Sequence, residues 1–207
     1  MTKNESALEI RSIPSIWPGS TIAILGGGSS INEMNLTPVW KFRTIGVNHS
    51  FRLGPVDMLW FGDYDIFVDN ENDIANFAGL KCTCNTRMPE MPWPGIKRVR
   101  RSDNNFGIES ERTDMVRWNN NSGASAINVA YHLGAERVLL IGFDMRTVNG
   151  KSHFHNRYPS TTRDPYARHL QCFPQIARDA EALGLEIINC TIGSAIKEFP
   201  IVNIGDI

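Results

Sequence analysis

The sequence lacks long hydrophobic runs, an excess of either charge, and a basic, apolar leader. Its longest apolar stretches have the length of strands, well short of the roughly 20 residues that span a bilayer, and the start MTKNESALEI does not resemble a signal peptide. The 207 residues carry 21 basic and 22 acidic side chains. Because this balance creates no general positive field for a polyanion, neither a membrane nor a nucleic acid is an expected partner.

The four cysteines form neither a CxxC pair nor the spacing of a disulfide framework. They are expected to be buried free thiols in a reducing compartment, which predicts a cytoplasmic protein. Cys82 and Cys84 point to the same face of a predicted strand, so a metal site at this pair is the alternative.

Strand-like and helix-like segments alternate after an irregular lead-in over residues 1–19. Strands are predicted at 21–25, 44–47, 58–61, 80–84, 96–99, 138–143 and 185–190, and helices at about 66–77, 122–133, about 165–183 with a break at Pro174, and 194–199. The alternation predicts an α/β, Rossmann-like fold: one domain over 20–207, with a mostly parallel sheet and helices on both faces.

Two segments have no hydrophobic period and are expected to be exposed connections. They are residues 102–121 and a lid loop at about 145–164. Loops of this length inside a compact domain are usually functional. A basic strip at Lys97, Arg98, Arg100 and Arg101 is interpreted as the exposed edge of the sheet.

The first motif is Gly26-Gly27-Gly28-Ser29-Ser30, which follows the first predicted strand. Glycines let the backbone approach a ligand closely, and amide groups at a helix start can bind a phosphate. Ser30 and Glu33 are expected to form a capping box for the short helix that follows. The motif is neither GxGxxG nor a P-loop, so a plain tight turn is the alternative.

A second helix start, Asn121-Ser122-Gly123, is expected to open toward the same crevice. Right-handed crossovers place the carboxyl ends of parallel strands at one edge, where ligands bind in open α/β sheets. Helix capping alone would also explain Ser122. Asp144, at the end of a central strand, could bind a ribose hydroxyl or a cation, or could cap its loop.

Asp63 and Asp65 follow the third predicted strand. Two such carboxylates could hold Mg²⁺ or Mn²⁺ against a diphosphate. Alternatively, Asp65 is the N-cap of the next helix.

The lid contains residues suited to acid–base chemistry. His153 and His155 would face the same way in an extended chain and could act as a general base. His169, on the next helix, is a third candidate. Phosphate contacts are expected from Lys151, Arg157 and Tyr158. A solvated loop without chemistry is the alternative.

Four segments resemble a superfamily that joins the bacterial sialyltransferases of glycosyltransferase family 42 with the MptE-like family, which includes uncharacterised phage and bacterial members. The matching segments are 24–31, 45–48, 122–144 and 188–195. The sialyltransferase branch implies a CMP-sugar donor, cradled by the residues at the places of Gly27, Gly28, Ser29, Asn48, Ser122 and Gly123. It also implies a histidine base just ahead of the last long helix; Tyr166 stands near that place here, and His169 lies one turn later.

The MptE-like branch instead implies Mg²⁺ and ATP, bound through Asp63, Asp65 and Asp144. The favoured prediction is a nucleotide-dependent transferase: a glycosyltransferase with a nucleotide-sugar donor, a histidine base and a small-molecule or glycan acceptor. The alternatives are a pyrophosphokinase acting on a pterin-like molecule and a non-catalytic nucleotide-binding module. A homo-oligomer is compatible with the sequence.

Overall fold

Nine strands form two parallel sheets in a computed structural model that describes residues 10–87, 95–103, 106–156 and 166–207. The strands are β1 (Ser20–Leu25), β2 (Arg43–Val47), β3 (Met58–Phe61), β4 (Leu80–Thr83), β5 (Ile96–Arg98), β6 (Arg100–Ser102), β7 (Met115–Arg117), β8 (Ala135–Ile141) and β9 (Glu186–Asn189). The large sheet has the order β5-β4-β3-β2-β1-β8-β9, while β6 pairs with β7. All these pairs are parallel. The predicted α/β, Rossmann-like single domain is confirmed.

Helices and 3₁₀ turns cover the sheet. The helices are α1 (Tyr64–Asp69), α2 (Glu71–Asn76), α3 (Ser122–Leu133), α4 (Tyr166–Leu170) and α5 (Phe173–Leu183), and the 3₁₀ turns are Ser29–Glu33, Thr37–Lys41, Asn48–Arg52 and Ile204–Asp206. Within the described ranges, no helix is both long and apolar enough to cross a membrane.

Strand β1 shows why the central strands read as continuous apolar runs. Ile22 and Ile24 belong to the core cluster that includes α3 and α5, whereas Ala23 and Leu25 pack on the opposite face among residues from the 3₁₀ turns. Successive side chains point to opposite faces, so a strand buried on both faces needs apolar residues at every position.

Helix α3 begins and ends where the sequence predicts. The side chain of Asn121 caps it, accepting hydrogen bonds from the amides of Gly123 at 2.9 Å and Ala124 at 3.2 Å. Gly134 ends the helix in the left-handed conformation, with φ +98°. Because Asn121 provides the cap, the Ser122 hydroxyl is not needed for it.

Three predictions about helix boundaries are wrong. The segment expected as one helix over about 66–77 divides at Asn70, whose buried side chain donates to the carbonyl of Ile66 at 2.6 Å. The first of the two helices begins at Tyr64, so Asp63 occupies the N-cap position and Asp65 lies in the first turn. Residues 194–199 are not helical.

The expected capping box at Ser30 also does not form. Ser30 lies inside the 3₁₀ turn, and its amide donates to the carboxylate of Asp144 at 3.1 Å. The break expected in the last long helix is confirmed: α4 ends at Leu170, and Pro174 is the second residue of α5, where its missing N–H costs no helical hydrogen bond.

The described residues of the stretch expected as an exposed connection over 102–121 are folded instead. Ile108 and Val116 are buried, and the side chain of Asn128 on α3 binds the backbone around them. Asn128 Oδ1 accepts from the amides of Glu109 at 2.8 Å and Arg117 at 3.0 Å, and Nδ2 donates to the Glu109 carbonyl at 3.0 Å. A fully buried helix residue thus replaces the hydrogen bonds that this irregular segment cannot form itself.

We expect Asn128→Ala to lower the free energy of unfolding by about 3 kcal/mol, because three buried backbone groups lose their partner. Urea unfolding measures the loss. Asn76→Ala, at an exposed helix position, is the matched control and should change stability by less than about 0.5 kcal/mol. Equal stabilities of the two variants would contradict this role of Asn128.

Candidate functional site

A cavity of about 480 Å³ lies at the carboxyl edge of the large sheet. The chain proceeds from β1 toward β5 on one side and places β8 and β9 on the other, so the strand order reverses between β1 and β8. Open α/β sheets bind ligands at such a switch point. The cavity volume is within the range of roughly 300–1,000 Å³ that is usual for small-molecule sites.

The cavity brings together most of the predicted site residues. Its lining includes Gly26, Gly27, Gly28, Asn48, Asp63, Ser122, Gly123, Asp144, His153, His155 and His169. Ser29, Asp65 and Lys151 do not line it. Arg157 and Tyr158 lie outside the described residues.

The ring of Phe143 joins the two predicted binding turns. A Cβ atom added to Gly26 would lie 3.0 Å from one edge of this ring, and one added to Gly123 would lie 2.9 Å from another edge. Glycine at both positions therefore lets the glycine loop and the first turn of α3 pack against a single side chain. This packing brings the two turns to the same cavity, as the sequence predicts.

Several amides of the glycine loop already donate hydrogen bonds within the protein. Those of Gly26 and Gly28 donate to the carbonyls of Ile141, the last residue of β8, and of Gly142, at 2.7 and 2.8 Å, and that of Ser30 donates to Asp144. Among the described residues, the loop amides without such a partner are those of Gly27 and Ser29. Of these two residues only Gly27 lines the cavity, so the phosphate cradle expected from the whole motif is reduced to the amide of Gly27.

Asp144 stabilises the glycine loop. It is 3% exposed, and its carboxylate lies so close to Gly28 that a Cβ there would be 2.0 Å from Oδ2. The hydrogen bond from Ser30 matches the loop-capping alternative for Asp144.

The described part of the lid packs on the glycine loop. Phe154 N donates to Gly27 O at 3.1 Å, Ser29 Oγ donates to Lys151 O at 3.1 Å, and Asn32 Nδ2 donates to Phe154 O at 3.2 Å. These hydrogen bonds fix the segment that carries the two lid histidines. Lys151 is exposed at the base of this segment.

The lid histidines face the cavity together. The rings of His153 and His155 stack with 5.5 Å between centroids and 28° between planes, so both point the same way, as predicted. Burial lowers the pKa of His153 below its ordinary value. This ring is therefore neutral at pH 7 and able to accept a proton.

Sequence reasoning missed His49, which lines the same cavity. Its ring contacts that of His155, with 4.3 Å between centroids and 71° between planes. The available signal was its position directly after β2, at the carboxyl edge of the sheet.

Sequence reasoning also missed the two arginines that line the cavity, Arg101 and Arg168. The guanidinium of Arg101 lies over the ring of Trp118, 5.1 Å from its centroid, and that ring packs so closely on Gly62 that a Cβ there would lie 2.0 Å from it. The interpretation of the basic strip as the edge of the large sheet holds for Lys97 and Arg98 on β5, whereas Arg101 is half-buried at the cavity on β6, which pairs with β7 in the small sheet.

Asp63 lies at the same end of the cavity. Partial desolvation at the cavity wall, together with the negative charge of Asp65, raises the pKa of its carboxyl group above the ordinary value, although Ser122, Arg101 and Arg168 act in the opposite direction. Ser122 Oγ donates to Asp63 Oδ2 at 3.4 Å. A solvent-accessible carboxyl group at the cavity wall, near hydroxyl and guanidinium donors, can bind a polar ligand group.

Asp144 lies apart from Asp63, so the structure does not bring all three predicted carboxylates together, and a site for Mg²⁺ or Mn²⁺ at Asp63 and Asp65 remains a prediction. Asp63 and Asp144 follow β3 and β8, which are three positions apart in the sheet, or about 14 Å. Within the described ranges, no three His, Cys, Asp or Glu side chains are arranged to bind a metal ion. Cys82 and Cys84 are buried free thiols, and burial raises the pKa of Cys82 to about 12, so the metal alternative for this pair gains no support.

No protein-family model matches the sequence, and no curated protein matches it. Among solved structures, the Maf glycosyltransferase from Magnetospirillum magneticum AMB-1 matches with a TM-score of 0.70 at 12% identity, over 98% of this chain and 37% of that chain. The sialyltransferase CstII from Campylobacter jejuni, in complex with the substrate analogue cytidine-5′-monophosphate, matches with a TM-score of 0.54 at 14% identity, over 89% and 85% of the two chains. The chain therefore has the fold of these glycosyltransferases and spans just over a third of the length of the first.

Proposed function

We propose that this chain is a glycosyltransferase that binds a CMP-sugar-like donor in the cavity and transfers the sugar to a hydroxyl group of a small-molecule or glycan acceptor. The observation that carries the proposal is the convergence of the glycine loop, the start of α3 and the lid histidines on one cavity. The fold shared with two glycosyltransferases supports it.

Asn48 supports a nucleotide in particular. The residue lines the cavity, and its side-chain oxygen is buried and has no hydrogen-bond partner among the described residues. A buried acceptor without a partner is costly, and an amine or hydroxyl group of a nucleoside would satisfy it. The free amide of Gly27, together with the positive end of the α3 dipole, would bind the phosphate.

The cavity residues suit a direct displacement. His155 or His153 takes the proton of the acceptor hydroxyl, the acceptor oxygen bonds to the anomeric carbon, and the nucleotide phosphate leaves with the electron pair. Arg101 and Arg168 would stabilise the developing negative charge. The phosphate contacts expected of Lys151, Arg157 and Tyr158 remain predictions, as does kinship with the MptE-like members.

Thermal unfolding with nucleotides tests the proposal. We expect CMP to raise Tm without a metal, by several degrees at about 100 times its Kd, where binding adds about 2.7 kcal/mol of stability. UDP, GDP and ATP, each with and without Mg²⁺, are the comparisons. A rise only with ATP and Mg²⁺ would favour the pyrophosphokinase instead. Binding of CMP without turnover of any CMP-sugar would favour a non-catalytic module.

A further inference from the structure

The ring of His49 contacts the ring of His155, which belongs to the lid. His49 follows β2 and is 2% exposed. The two rings meet edge to face at 4.3 Å, while His153 stacks on His155 at 5.5 Å. His155 is therefore the middle ring of three, and its plane is fixed by contacts from two separate segments of the chain.

The ring of His49 is itself fixed in one tautomer. Arg52 Nη1 lies 3.1 Å from His49 Nδ1, and a guanidinium group can only donate. A hydrogen bond between these atoms requires Nδ1 as the acceptor, with the ring hydrogen on Nε2 of a neutral ring. Arg52 is held in turn by Asn70 Oδ1 at 2.6 Å and by an ion pair with Asp73.

We propose that His49, with its tautomer set by Arg52, is a positioning residue that orients His155 as the base of the transfer reaction. This role rests on the proposed function. When His155 takes the proton of the acceptor hydroxyl, it becomes a cation, and the acceptor oxygen replaces the nucleotide phosphate at the anomeric carbon. A neutral His49 in contact with this ring does not repel the cation.

Spectra of the full chain with ¹⁵N-labelled histidine, recorded at pH 7 without ligand, test the positioning directly. We expect His49 in a single tautomer with hydrogen on Nε2. Arg52→Met should allow the second tautomer and shift the ring signals of His155. Arg137→Met is the control, since it removes an exposed ion pair with Glu186 about 16 Å along β8 from the cavity, and it should leave both rings unchanged. Hydrogen on Nδ1 in the wild type, or no response of His155 to Arg52→Met, would overturn the proposal.

Turnover of CMP-sialic acid separates positioning from folding. His49→Ala should lower kcat by at least about tenfold with an unchanged Kd for CMP, as expected for loss of an interaction that acts in the transition state. His49→Phe keeps an aromatic ring and should recover most of kcat. Equal kcat for wild type and His49→Ala would overturn the positioning role. A wild type that binds no CMP would instead refute the proposed function, and the ligand-free spectra distinguish that failure.

Discussion

Gly28→Ala is expected to abolish CMP binding and to lower the free energy of unfolding by about 3 kcal/mol, near the upper end of the cost of overpacking. The new methyl group would lie 2.0 Å from the Asp144 carboxylate and 2.6 Å from the carbonyl oxygen of Gly142. The carboxylate could rotate away only by giving up the amide of Ser30, and the backbone carbonyl cannot rotate away at all. Urea unfolding and calorimetric titration with CMP measure the two effects.

Gly27→Ala is the matched control in the same loop. Its methyl group would meet only Cδ2 of His153, at 3.4 Å, which is close to an ordinary contact. We expect a loss of stability below about 0.5 kcal/mol. If the two alanine variants were equally stable, the tight packing of the glycine loop against Asp144 would not be the reason for glycine at position 28.

The second large effect is expected at the lid histidines. Replacing both His153 and His155 with asparagine should lower kcat by about 10²–10⁴-fold, the usual contribution of a general base, while the Kd for CMP stays within about threefold. The single variants identify the base, and the larger loss is expected for His155. His132→Gln is the control, because His132 is buried outside the cavity and its Nε2 lies 2.9 Å from the carbonyl of Met115, a bond that glutamine can retain.

A histidine base fixes the direction in which the reaction rate changes with pH. A histidine base works in its neutral form, so the rate falls as pH drops through the pKa of that histidine. Burial lowers the pKa of His153 below 6.5 in the ligand-free chain, so if this residue is the base, the acid limb of the kcat/KM profile lies below pH 6.5 and kcat/KM is constant between about pH 7 and about pH 8. A limb above pH 7 would exclude His153 as the base. Unchanged kcat in the double variant would exclude both lid histidines.

The sequence was most informative where structure is determined locally. Two segments contain the signals for their own structure. The run that ends at Leu25 is apolar because it is buried on both faces. The helix between Asn121 and Gly134 has a capping residue at its start and a left-handed glycine at its end. The glycine loop and the start of α3 were predicted to meet because the topology of a parallel sheet leaves little choice.

The parts that sequence reasoning missed depend on contacts between distant segments. The stretch over 102–121 has no period because its backbone is satisfied by Asn128, on a helix that follows it. Arg101 reaches the cavity only because β6 leaves the large sheet to pair with β7. His49 gains its place from His155, which is more than a hundred residues away. No short motif contains this information.

The most direct test of the central claim is hydrogen–deuterium exchange of the whole chain with and without CMP, in the absence of a metal. The claim is that the turn after β1 and the first turn of α3 bind one nucleotide together. It predicts slower exchange on CMP binding in both the peptide that contains Gly27 and Ser29 and the peptide that contains Ser122 and Gly123. Protection in only one of these peptides, or only elsewhere in the chain, would contradict it.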